Sequence, residues 1–132
     1  MALVVATNAS MAVERIGMPE AQIILSEAAS YVACAPKSNA ACEAIFAAKD
    51  EVAKSGNLPI PSHLQDAHYK GAAKLGRGTG YKYAHDYPGH VVKQQFMPDE
   101  MVGTTYYHPC GNGAEQKIIE YLEWKKIQEN KI

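Results

Sequence analysis

Very little net charge is carried by this sequence: 13 Lys and Arg against 14 Asp and Glu leave a formal −1 and a pI near 6.5. That balance excludes a global pull toward nucleic acid or anionic lipid, and Lys70, Lys74, Arg77 and Lys82 are spaced out between Asp66 and Asp86, so no basic patch is expected. Cysteine is scarce. Cys34, Cys42 and Cys110 are an odd number without Cys-x-x-Cys spacing, which reads as buried thiols in a reducing cytoplasm rather than disulfides or metal ligands. No basic region precedes the apolar run at the amino end, and no segment is long and apolar enough to cross a bilayer. Internal repeats and low-complexity tracts are absent too. A cytoplasmic chain without membrane contact is expected.

What is present is a 47% hydrophobic chain of 132 residues, enough for a single domain spanning 1–132 with a core of its own. The pattern is helical from Ala2 to about Ile16, apolar almost all round. That helix starts without a capping residue, so the native chain is expected to continue upstream. A second helix follows Gly17 and Pro19 and runs to about Ala35, with Ile24, Ala28, Tyr31, Val32 and Ala35 on one face. A third, capped from Lys37-Ser38-Asn39, spans Ala40 to Ser55, and its stripe is Ala41, Ile45, Ala48 and Val52, broadened by Phe46. The second and third helices are expected to pair antiparallel. Ser62 with Gln65 reads as a capping box over short helical turns reaching Leu75. Thr104 to Tyr107 suits a short strand or extended segment. Asn112, with Glu115 three residues on, is expected to cap a last helix ending near Glu129, with Ala114, Ile118, Tyr121 and Leu122 inward.

The densest chemistry lies between Gly80 and Pro98. Tyr81, Tyr83, His85, Asp86, Tyr87, Pro88 and Phe96 fall in a stretch too irregular for a helix and too interrupted for a strand. An ordered loop of this length is functional or supplies core aromatics itself. Here Tyr81, Tyr83, Tyr87 and Phe96 are expected as anchors and Asp86 as a turn-forming acceptor. The Gly76-Arg77-Gly78-Thr79-Gly80 run lacks the preceding strand, following helix and lysine of a phosphate loop. His85-Asp86 is the doublet of His-Asp phosphohydrolases, but His63, His68, His90 and His108 do not have metal-ligand spacing. Cys110 beside His108 has no orienting partner for nucleophilic catalysis. Tyrosines at 81, 83, 87, 106 and 107 could stack bases, although core and interface filling is the simpler use. No catalytic, cofactor or metal residue is assigned.

Five runs occur here in a familiar order: Glu14 to Glu20, Ala35 to Asn39, Pro59 to Ala67, Gly80 to Gly89 and Gln94 to Glu100. Together they make the chain resemble the carboxy-terminal part of the RarA/MgsA family of AAA+ ATPases, to which the eukaryotic Werner helicase-interacting protein belongs. Cys42, Phe46 and the absence of a proline in Ala67-His68-Tyr69 depart from the family pattern. The resemblance implies an all-α domain similar to the clamp-loader carboxy-terminal oligomerisation domain, with a long ordered aromatic loop, assembling as a homotetramer. It implies a parent that is a DNA-dependent ATPase at replication forks, using ATP and Mg2+ in an upstream core, with DNA and single-stranded-DNA-binding protein as partners. No Walker motif or sensor arginine is found within the 132 residues. A DNA-contacting or partner-docking module and a His-Asp phosphohydrolase remain the alternatives.

Overall fold

A computed structural model describes residues 1–131. It is all-helical, with four α-helices, several single 3-10 turns and no strand among the described residues. The chain divides into two compact units, Met1–Lys37 and Ser38–Ile132.

The first unit is a hairpin of α1 (Ala2–Ile16) and α2 (Ala21–Cys34). Gly17 takes a positive φ that ends α1, and its amide closes on the Val13 carbonyl. Ala9 and Ala21 are the buried side chains, small enough to let the two axes approach. The Lys37 ammonium donates to the carbonyls of Val32, Ala33 and Ala35 at 3.2–3.3 Å, neutralising the negative end of α2. The hairpin is made by the first and second helices, whereas the antiparallel pair expected of the second and third falls across the two units. On α2 the expected face is only partly inward, because Ile24 and Ala28 are half-buried while Tyr31 and Val32 are open.

The second unit holds α3 (Ala40–Ser55), a long non-helical middle and α4 (Glu115–Glu129). Its buried residues are Ala40, Ala72, Val91 and Val92, all small or β-branched. On α3 the alanines Ala40, Ala44 and Ala48 turn inward, whereas Ile45 and Val52 are 56% and 61% exposed. The expected stripe is rotated from the observed one. Periodicity locates apolar stripes but is blind to the advantage of alanine where backbones come close. On α4 Leu122 is half-buried as expected, but Ile118 and Tyr121 are exposed while Glu115 and Ile119 are half-buried. Residues 104–107 are extended without forming a strand.

Local capping also differs from expectation. Ser62 and Gln65 form no box: Gln65 Nε2 donates to the Ile60 carbonyl at 2.7 Å, and the Ser62 carbonyl accepts from the Gly78 amide at 2.8 Å. At α3, by contrast, the capping side chain expected from Lys37-Ser38-Asn39 is supplied by Ser38, whose hydroxyl accepts from the Ala40 amide at 3.1 Å, while Asn39 donates to Glu43 at 2.6 Å. The three cysteines are free, as expected, but exposed rather than buried. Cys34 and Cys42 lie on outward helix positions, and Cys110 lies in the bend before α4.

Candidate functional site

The loop from Tyr81 to Pro98 is held by polar clasps at its base and by two valines at its centre. The Lys82 amide donates to Gln94 Oε1 at 2.7 Å, and Lys82 Nζ donates to the Lys93 carbonyl at 3.2 Å. Gln95 Nε2 donates to the Met97 carbonyl and to Asp99 Oδ1, while the Gln95 carbonyl accepts from His63 Nε2 at 2.8 Å. Val91 and Val92 are each only 5% exposed. These valines and glutamines fix the loop; Gln94 and Gln95 open one of the family-like runs, but the sequence does not mark any of the four as a support.

The expected aromatic anchors are mostly outside. Tyr81, Tyr83 and Phe96 are 52%, 54% and 58% exposed, and only Tyr87 is half-buried. Pro88 is exposed and opens the turn whose Gly89 has φ +68. The turn around Asp86 is closed by backbone, Asp86 N–H to the Tyr83 carbonyl and Tyr87 N–H to the Ala84 carbonyl. No described donor meets the Asp86 carboxylate. His85 does not pair with Asp86 either: its ring lies 5.0 Å from Tyr83 and 4.7 Å from His90. Among the described residues no three His, Cys, Asp or Glu side chains converge as metal ligands do. Gly89 lies directly under Trp124 of α4, where an added Cβ would come within 3.0 Å of the indole.

A second centre, which the sequence placed beside a cap but not as a meeting point of distant donors, is the Glu115 carboxylate at the first turn of α4. Oε1 accepts from the Ser38 hydroxyl at 2.6 Å and the Tyr107 hydroxyl at 3.2 Å; Oε2 accepts from the Cys110 amide at 2.7 Å and the Cys110 thiol at 3.0 Å. Four donors and the positive helix end all favour the ionised form. Hydrogen bonds from the Cys110 thiol and Ser38, ahead of partial desolvation, hold Glu115 down at about 2. Tyr107 is pushed up from its ordinary value by desolvation and by that anion. The cap expected of Asn112 falls instead at Ala114, and the Asn112 carbonyl accepts from the Glu115 amide. A carboxylate with every lone pair engaged is a clasp, not a general base.

Open apolar surface is the remaining feature. In the first unit a groove of about 440 Å3 is lined by Ala6, Ala9 and Val13 of α1 and Leu25, Ala28 and Val32 of α2. In the second, Ile45, Ala48, Val52 and Ala53 line an apolar concavity on α3, and Tyr121 stacks on Trp124 at 5.7 Å on α4.

Comparison with known proteins settles the family. The model described as MgsA AAA+ ATPase C terminal matches residues 1–126. The chain belongs to this family. An uncharacterized AAA domain-containing protein of Mycobacterium tuberculosis is 48% identical over 122 residues, covering 92% of this chain and 27% of its own length. Replication-associated recombination protein A of Bacillus subtilis is 40% identical, covering 94% of this chain and 29% of its own. ATPase WRNIP1 of Dictyostelium discoideum is 32% identical over 80% of this chain and 12% of its own length. The chain thus spans less than a third of each of these relatives. No helix among the described residues is long and apolar enough to cross a membrane.

Proposed function

We propose that this chain is the self-assembly module of a AAA+ ATPase that acts in replication-associated recombination and repair in the cytoplasm, joining subunits into a homotetramer. The observation that carries this reading is how little of the apolar content is buried. Among the described residues only alanines and two valines are buried, while Leu3, Ile45, Phe46, Val52 and Tyr121 are open. The exposed area is 10166 Å2, whereas a compact monomer of this mass exposes about 6,800 Å2, and two separate compact bodies of these lengths about 8,000 Å2. Large open apolar patches mark association surfaces.

On this reading ATP and Mg2+ belong to a nucleotide core carried elsewhere in the parent, as do its DNA and single-stranded-DNA-binding-protein partners, and the 132 residues turn over no nucleotide. Light scattering behind size exclusion over a concentration series tests it. A tetramer, or a dimer that associates further, supports the assembly role. A monomer at every concentration overturns it.

A further inference from the structure

Each unit leaves an apolar surface open, and the two surfaces carry single charges of opposite sign. On the hairpin, a groove of about 330 Å3 is lined by Val5, Ala9 and Ala12 of α1 and Ile24 and Ala28 of α2, with Glu27 as its only charged lining residue. On α3 the open face carries Ile45, Ala48, Val52 and Ala53, and its only charge is Lys49. Glu27 and Lys49 are both exposed, and neither makes a hydrogen bond or ion pair among the described residues. The dimensions agree as well. Val5 to Ala12 and Ile45 to Val52 are each a step of two helical turns, about 10.5 Å. The groove is floored by alanines while the α3 face offers β-branched side chains, the combination that lets a ridge enter a groove.

We propose that α3 of one copy seats in the α1–α2 groove of the next copy, with Lys49 meeting Glu27. The inference rests on the self-assembly reading and names its contact. Pairing of like surfaces is disfavoured by charge: two α3 faces bring lysine to lysine and two grooves bring glutamate to glutamate, each without a counter-charge in an apolar contact. Unlike surfaces meeting head to tail form a heterologous contact, which closes into a ring or runs on as a filament. A ring that closes after four copies is the homotetramer. An unrelated helix could fill one surface, but the match between the two would then have no cause.

The test is charge exchange between copies of the 132-residue chain, read by light scattering behind size exclusion over a concentration series. Glu27→Lys and Lys49→Glu, each alone, should raise the concentration at which the assembly half-dissociates by about tenfold or more. Glu27→Gln and Lys49→Gln, which remove the attraction without adding repulsion, should shift it in the same direction by less. An equal mixture of the two charge-exchanged variants should recover the wild-type mass. In that mixture each native charge meets its native partner in one contact, and the introduced lysine meets the introduced glutamate in the next. Asp50→Lys, on another side of α3, should leave the mass unchanged, and far-UV circular dichroism of each variant separates lost contact from lost fold. An assembled wild type whose mass neither exchange alters overturns this contact and leaves self-assembly standing. Single variants that weaken assembly but do not recover on mixing also overturn it, in favour of a contact between like surfaces. A wild-type chain that stays monomeric at every concentration overturns both.

Discussion

Glu115 gives the clearest consequence at the scale of single residues. Its carboxyl titrates near 4.5 ordinarily and at about 2 in the folded chain. The folded state therefore binds fewer protons in that window, and the stabilisation is complete above about pH 4.5, declines as pH falls, and is gone below about pH 2. Glu115→Gln keeps the shape but turns an amide donor toward donors of Cys110 or Ser38. Urea midpoints should be lower for this variant at neutral pH, and the gap to wild type should close as pH approaches 2. A gap independent of pH would remove the clasp from the account. The valines provide a second contrast. Val91→Ala or Val92→Ala should cost roughly 1–3 kcal/mol in urea unfolding, whereas Phe96→Ala, at an open position, should cost less than either.

Among the elements, the loop and α4 meet through a contact that requires glycine. Gly89 has φ +68 and faces Trp124, so Gly89→Ala combines a left-handed backbone penalty of roughly 1–2 kcal/mol with a clash against the indole. A red-shifted tryptophan emission with α-helical content retained is the expected signature. Helix extents were legible in the sequence because Gly17, Pro36, Gly56 and the 3.6-residue period are strong punctuation. Which side of each helix is covered was not. On α3 and α4, apolar residues occupy more than one face, and the covered face is chosen by size and by polar partners distant in sequence. The fully satisfied carboxylate at 115 is the extreme case, with partners at 38, 107 and 110 that no local pattern connects. The aromatic loop was legible as a centre of order but not in its means, since the glutamines and valines that hold it look ordinary beside its tyrosines.

For the molecule as a whole, the proposed assembly and the open apolar faces make one prediction. Ile45→Glu with Val52→Glu places charges on an exposed α3 face and should leave the melting temperature of the subunit nearly unchanged. If that face is an intersubunit contact, the mass by light scattering should fall by at least half. An unchanged mass would assign the contact to the α1–α2 hairpin, where Val4→Glu with Met11→Glu is the corresponding pair.

The Glu115 clasp also bears on the order in which the chain can complete itself during synthesis. The first unit is a hairpin of neighbours and can close as soon as α2 has emerged from the ribosome. In the second unit, the donors at Ser38, Tyr107 and Cys110 all precede their acceptor, the first by 77 residues. Loop closure over that span is entropically costly. Until the start of α4 is released, the nascent chain carries these donors in water without their shared acceptor, and translation itself sets the earliest moment at which the second unit can be complete.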